Sequence, residues 1–159
     1  MKLYIEFENI IDYPMCEIRV NEHILYRGQV YTFYNFDLDI ADKDVILYID
    51  HWDKKGTDTV VEQGKIVRDR SFTLKKIEID GCDLEELIWQ SEFQGTDGAV
   101  YKSCLFFGPN GTFVLKFINP VLYWMLKTRH ELNNNDLTWE QDYNYYTSAC
   151  ELLKQTPTK

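Results

Sequence analysis

The sequence predicts a mainly β protein: a two-sheet, antiparallel, jelly-roll-like sandwich that ends in a pair of α-helices. Residues 2–118 are short runs rich in β-branched and aromatic residues, separated by turn residues. Aromatic residues make up 15% of the chain, which suits a β-rich core or a contact surface. The apolar spacing then changes to the period of a helix. We therefore expect a sandwich over residues 1–118 and a helical appendage over residues 119–159.

Composition narrows the function classes. The chain has 159 residues, enough for one core and too few for two ordinary domains. Its formal charge of -9 would repel phosphate backbones, so we expect no nucleic-acid partner. The start of the chain lacks the apolar segment of a signal peptide, and no run approaches the roughly 18 to 20 apolar residues of a membrane span. These patterns predict cytoplasmic synthesis and no membrane partner.

The first strands follow from alternation. Residues 2–7 and 15–20 alternate apolar and polar side chains, and a turn at Asn21-Glu22 leads into residues 23–26. Residues 30–40 alternate as well, and the more apolar face is expected to be buried. The other face carries Tyr31, Phe33, Asn35, Asp37 and Asp39.

The middle of the chain continues the pattern, and we expect roughly eight to ten strands in all. A run at 45–52 is followed by two short strands joined at Gln63-Gly64. The apolar phase of residues 71–80 switches at Lys75-Lys76, which predicts a bulge or a crossing between sheets. Residues 83–89 fit either a helical turn or a strand. Pro109-Asn110-Gly111 between two apolar runs predicts a hairpin.

Two helices are expected at the end of the chain, over residues 121–132 and 138–155. The second begins with a capping box, Thr138 with Gln141 three residues later. It carries more aromatic residues than one sandwich can cover, and exposed aromatic residues are enriched at protein contacts. A helical hairpin that caps one end of the sandwich is the alternative. The residues predicted to bind partner subunits are Trp124, Trp139, Tyr143, Tyr145 and Tyr146.

An acidic loop follows the run at 45–52. Calcium takes six to eight oxygen ligands, which carboxylates and loop carbonyls supply. A calcium site is therefore possible here, but the DxDxDG loop pattern is absent and a solvated acidic rim explains the same residues, so no cofactor is expected apart from this possible calcium. The predicted ligands are Asp53, Asp58, Glu62 and Asp69. The four cysteines are too far apart for a zinc site, so we expect buried free thiols.

The run VILYIDHWDKKGTDTVVEQGKIVRDRSFTLKKIEIDG resembles the middle of carbohydrate-binding-module-like β-sandwiches, including those of phage virion proteins. The resemblance covers about 40 of the 159 residues. It implies a non-catalytic sandwich with a face for sugar or protein. Such modules hold sugars by aromatic stacking, and Trp52 is the predicted ligand-binding residue. Other aromatic candidates are Trp89, Tyr31, Tyr34 and Tyr101.

No nucleophile elbow, P-loop, dinucleotide-binding or zinc-protease motif is present in the sequence. The first functional hypothesis is therefore a non-enzymatic interaction or structural subunit of a phage-like particle, made in the cytoplasm and incorporated in a virion. It would form an oligomer or a larger assembly. The alternative is a calcium-assisted carbohydrate-binding module with a glycan partner.

Overall fold

The computed structural model describes residues 1–133. Over this part, the chain forms thirteen β-strands and one α-helix, with short 3-10 helices at Gly56–Asp58 and Glu85–Gln90. The elements are β1 (Lys2–Ile11), β2 (Met15–Val20), β3 (His23–Gln29), β4 (Phe33–Asp37), β5 (Asp44–Trp52), β6 (Val60–Glu62), β7 (Lys65–Arg68), β8 (Ser71–Ile79), β9 (Cys82–Asp83), β10 (Glu92–Gly95), β11 (Val100–Lys102), β12 (Phe106–Phe107), β13 (Gly111–Ile118) and α1 (Val121–Asn133).

The strands form two antiparallel sheets. The five-stranded sheet has the order β12-β8-β1-β4, with β9 paired to β8. The six-stranded sheet has the order β11-β10-β13-β5-β2-β3, and β6 with β7 forms a separate hairpin. The predicted two-sheet antiparallel sandwich is confirmed, and α1 is the first of the two predicted helices. The second, at 138–155, lies outside the described residues.

The core lies between the sheets and is dominated by phenylalanine. Phe72 and Phe107 stack with ring centroids 4.4 Å apart, and Phe7 meets Phe72 edge-on at 5.1 Å. Phe93 and Phe113, from the six-stranded sheet, contact Phe107 at 5.5 and 6.1 Å. All five side chains are fully buried. Because these rings interlock across the two sheets, they fix which residues of each strand face solvent.

Two local predictions are confirmed. The turn between β6 and β7 has Gln63 at φ 50° and Gly64 at φ 77°, the two positive values that a two-residue type I′ hairpin turn requires. The phase switch in β8 is a bulge, because Glu6 pairs with Lys76 and Phe7 pairs with Leu74. The extra residue, Lys75, lets both ends of the strand bury apolar side chains.

The hairpin predicted at Pro109-Asn110-Gly111 is wrong. β12 pairs with β8 in one sheet, whereas β13 pairs with β5 and β10 in the other. The Asn110 side chain accepts from the backbone N–H of Lys54 at 3.0 Å and donates to its carbonyl at 2.8 Å. The turn is therefore tied to the loop after β5, and the chain crosses between sheets. Residues 83–89 leave β9 and enter the 3-10 helix Glu85–Gln90.

Helix α1 joins the same core. Its Val121, Trp124 and Met125 are buried, and Trp124 lies 6.1 Å from the Phe117 ring. Trp124 was predicted to contact a partner, but the structure buries its ring to 7% exposure against β13. Two residues separate the end of β13 at Ile118 from the start of α1 at Val121. Within residues 1–133, no helix is both long and apolar enough to cross a membrane.

His51 is a buried titratable group in the core, 2% exposed. Its ring meets Phe72 edge-on, and its Nδ1 lies 2.9 Å from the carbonyl oxygen of Pro109. A carbonyl only accepts, so in the neutral ring Nδ1 carries the proton and Nε2 does not. Nε2 is buried and has no partner in the described part of the chain. Burial lowers the pKa of His51, against the opposing effect of the Pro109 hydrogen bond.

Lowering the pH from about 7.5 to about 5.5 should reduce the free energy of unfolding through His51. Its pKa is lower in the folded than in the unfolded chain, so the unfolded chain binds the extra proton first. Stability is therefore full above the ordinary histidine pKa and declines below it. Urea unfolding at several pH values checks this. The free energy of unfolding should depend less steeply on pH in His51→Gln, and as steeply as in the natural protein in the exposed control His23→Gln. Equal pH dependence in the natural protein and both variants would contradict the prediction.

Candidate functional site

The predicted calcium ligand Asp69 is held by the chain's own cation. Its Oδ1 accepts from Lys54 Nζ at 2.5 Å and from Thr59 Oγ1 at 2.7 Å. Lys54 Nζ also donates to the carbonyl of Gly108 at 2.5 Å, and only 12% of the Lys54 side chain is exposed. Burial tends to raise the pKa of Asp69, but the hydrogen bonds from Lys54 and Thr59 outweigh it and hold that pKa below its usual value.

The other predicted ligands are separately engaged or exposed. Asp58 accepts from the backbone N–H of Lys55 at 2.9 Å and lies 3.4 Å from Arg70, and these contacts lower the pKa of Asp58. The side chains of Asp53 and Glu62 are exposed, the latter at the end of β6. No group of three or more His, Cys, Asp or Glu side chains within residues 1–133 is arranged to hold a metal ion. Calcium binding here stays a prediction.

Trp52 lies on the outer face of the six-stranded sheet, where arginines cover the aromatic rings. The Arg27 guanidinium carbon lies 5.1 Å from the centroid of the Trp52 ring, and that of Arg19 lies 3.8 Å from the Tyr48 ring. Arg19 Nε is also 3.4 Å from the Asp50 carboxylate. The rings and charges of this face therefore contact one another, but the buried Nε1 of Trp52 has no hydrogen-bond partner in the described part of the chain. Ligand binding by Trp52 stays a prediction.

The outer face of the five-stranded sheet offers a different surface, formed by Tyr4 of β1 and Phe33 of β4. Tyr4 pairs with Asn35 across the strands and Glu6 pairs with Phe33, so Tyr4 and Phe33 are diagonal neighbours. Their ring centroids are 6.4 Å apart and their planes differ by 22°. Phe33 is 59% exposed and Tyr4 is half-buried. We call this pair of nearly parallel rings the aromatic platform.

A groove of about 420 Å³ runs beside the platform. It is lined by Tyr4 and by polar side chains that include Lys2, Asn35, Asp37 and Glu78. Asn35 and Asp37 are exposed, and their side chains make no hydrogen bond or ion pair to the described part of the chain. The groove thus combines apolar ring surface with an amide and a carboxylate that are free to bind a ligand.

Ion pairs support the platform from the neighbouring strand β8. Glu6 accepts from Lys75 Nζ at 2.7 Å, which lowers the pKa of Glu6, and Lys76 Nζ lies 2.5 Å from Glu78. The Tyr4 hydroxyl donates to Glu6 at 3.3 Å. Burial and the nearby Glu6 raise the pKa of Tyr4, so its hydroxyl stays protonated and can donate. These contacts hold the Tyr4 ring in place.

The remaining sequence-predicted residues lie apart from the platform. Tyr34 is buried, with its hydroxyl accepting from the backbone N–H of Tyr31 at 2.8 Å. Tyr31, Trp89 and Tyr101 are each about half exposed, and of these only Tyr31 adjoins β4. The predicted partner contacts Trp139, Tyr143, Tyr145 and Tyr146 lie outside the described residues.

Sequence reasoning did not single out Tyr4 or Phe33. Alternation placed Phe33, Asn35 and Asp37 on one face of their strand, and that part of the signal was available. The missing part was the pairing of β1 with β4, about thirty residues away in the chain. Because pairing partners do not follow from periodicity alone, the neighbour of Phe33 could not be named.

Removing the Lys54 ammonium should destabilise the fold, because it leaves the largely buried carboxylate of Asp69 without its cation. We expect Lys54→Met to lower the free energy of unfolding by about 2 kcal/mol. The exposed neighbour Lys55→Met is the control and should be nearly neutral. Adding Asp69→Asn to Lys54→Met should recover part of the loss in a double-mutant cycle by urea unfolding. Equal effects of the two lysine variants would contradict a stabilising role for the Lys54–Asp69 ion pair.

Comparisons with known proteins identify no family for this chain. No family model matches it, and a search of curated proteins finds no match. A search of solved structures finds similarity to a carbohydrate-binding module, titled vCBM60 in complex with galactobiose. The two chains share 12% sequence identity with a TM-score of 0.47, over 72% of this chain and 96% of the other.

Proposed function

We propose that this protein is a non-catalytic glycan-binding domain and that the aromatic platform with its groove is the binding surface. The observation that carries the proposal is the pair of nearly parallel rings, Tyr4 and Phe33, 6.4 Å apart beside unpartnered Asn35 and Asp37. A sugar ring has one apolar face of C–H groups and an edge of hydroxyls. The aromatic platform can stack against the apolar face of the sugar, and the polar side chains of the groove can form hydrogen bonds with the hydroxyls at its edge.

The energetics favour such a contact. Exposed aromatic rings keep unfavourable contact with water until a ligand covers them, and covering apolar surface contributes about 25 cal/mol per Å². Asn35 offers both donors and an acceptor, and Asp37 offers acceptors, so together they can satisfy several hydroxyls. Neither residue has to break an existing hydrogen bond in the described chain first. Tyr4 is held by Glu6, which reduces the entropy lost on binding.

The outer face of the six-stranded sheet is less suited to this task. There a ligand would have to displace Arg27 from Trp52, or Arg19 from Tyr48 and Asp50. Each displacement breaks a contact that the free protein already has, which subtracts from the binding free energy. The five-stranded sheet has no such cover over Phe33, which is 59% exposed.

Phe33→Ala should weaken glycan binding at least about tenfold, because it removes half of the platform. The measurement is an array of neutral cello-, xylo-, manno- and galacto-oligosaccharides, followed by calorimetry with the ligands that bind. Phe106→Ala is a matched control, because Phe106 is 49% exposed on β12 at the opposite edge of the same sheet. Both variants should melt within a few degrees of the natural protein. Equal affinity of the Phe33 and Phe106 variants would rule out the platform.

A second candidate function is an interaction subunit of a larger assembly, such as a phage-like particle. It is favoured by the β6–β7 hairpin, whose Val61, Ile66 and Val67 are each more than half exposed. A two-stranded hairpin is marginally stable in water, so a partner that covers these side chains would stabilise it. The proposed calcium ligands Asp58 and Glu62 lie at or near the same hairpin.

Light scattering on a size-exclusion column, with calcium and with chelator, tests both ideas. The glycan-binding proposal expects a monomer in both conditions. Calcium should have no effect, because Lys54 and Arg70 already neutralise Asp69 and Asp58. A defined oligomer that the double variant Val61→Thr/Ile66→Thr dissociates would favour the assembly role. A calcium site occupied at a hundred times its dissociation constant would add about 2.7 kcal/mol of stability, visible as a higher melting temperature.

A further inference from the structure

A second groove lies at the other end of β4, with a volume of about 430 Å³. It is lined by the end of β1 and the β1–β2 turn on one side, and by the end of β3 and the segment that leads into β4 on the other. Tyr13 and Tyr31 both line it, and they are 74% and 58% exposed. Phe33, also exposed, follows two residues beyond Tyr31 in the chain.

The turn that carries Tyr13 is rigidly held. Arg68 forms an ion pair with the Asp12 carboxylate, and Arg70 Nε donates to the Asp12 carbonyl at 3.1 Å. On the other side, the carbonyl of Pro14 accepts from the N–H of Val30 at 2.8 Å. A ring presented to water on a backbone fixed from both sides loses little entropy when a ligand covers it.

Tyr13 also has a strained backbone conformation. Its φ is 54°, in the left-handed region that a bulky side chain rarely adopts. Asp12 beside it has φ 58°. Consecutive positive φ values also occur at Gln63-Gly64, where the β6–β7 turn requires them, so at Asp12-Tyr13 they mark the tight turn between β1 and β2. The Tyr13 side chain makes no hydrogen bond to the described part of the chain, so its exposed ring is free to contact a ligand.

We propose that this second groove, the Tyr13–Tyr31 groove, is a further glycan subsite, and that the protein binds an internal stretch of a linear glycan rather than a single terminal sugar. The proposal rests on the proposed function of the aromatic platform. From Phe33 to Asp37 the strand spans about 13 Å, already longer than one sugar ring. Grooves adjoin both ends of β4, so a chain that covers the platform can continue into either one.

The test compares di- and hexasaccharides of the cello-, xylo- and manno- series by calorimetry. The hexasaccharide that binds should bind at least about tenfold more tightly than its disaccharide, since it reaches a second aromatic contact. Tyr13→Ala should remove most of that gain and leave disaccharide binding unchanged. Tyr101→Ala, a tyrosine 48% exposed on the other sheet, is the control and should change neither.

The outcomes separate this subsite from the platform. If Phe33→Ala weakens every ligand while Tyr13→Ala leaves hexasaccharide affinity intact, the subsite is wrong and the platform stands. If no oligosaccharide binds the natural protein, both proposals fail together. If Tyr13→Ala instead abolishes a concentration-dependent dimer seen by light scattering, the groove belongs to a contact between two copies of the chain and the subsite is overturned.

Discussion

The burial of interlocking phenylalanine rings between the two sheets is the constraint on which the rest of the structure depends. Phe7 and Phe72 meet in the core, and strand geometry then forces their neighbours along β1 and β8 to the outer face. The same rule turns Tyr34 inward and Phe33 outward on β4. A strand that buries Tyr34 must therefore expose Phe33. The aromatic platform is thus a consequence of core packing combined with one strand pairing, that of β1 with β4.

The two outer faces differ in how they treat their polar and aromatic groups. On the six-stranded sheet, arginines lie over the rings and beside the carboxylates, so the face's own side chains cover most of it, although Trp52 Nε1 has no hydrogen-bond partner in the described chain. In the acidic loop, Lys54 occupies the place beside Asp69 where an external cation was expected. Around the platform, Glu6 and Glu78 are paired with lysines, but Asn35 and Asp37 are left without partners in the described chain. Exposed aromatic rings beside a few polar groups that lack partners are typical of a ligand-binding surface.

Much of the fold followed from the sequence because it depends on local rules. Alternation predicted the sandwich, the phase switch predicted the bulge at Lys75, and Gln63-Gly64 predicted the β6–β7 turn. The hairpin at Pro109-Asn110-Gly111 was wrong because Asn110 bonds to Lys54, a contact over fifty residues away that no local rule contains. The platform was missed for the same reason, since a residue's cross-strand neighbour is set by long-range pairing. Trp124 was predicted to contact a partner, whereas the structure buries it, because helical periodicity does not show which part of the chain covers a helix.

The central claim is that glycan binds the outer face of the five-stranded sheet. The most direct measurement is a map of backbone amide chemical shifts during titration with the tightest-binding oligosaccharide from the array. The account predicts that the perturbed amides cluster on β1 and β4 around Tyr4 and Phe33, while those around Trp52 stay fixed. Perturbations confined to Trp52, Arg27 and the neighbouring strands of the six-stranded sheet would contradict the account and move the binding surface to the opposite face.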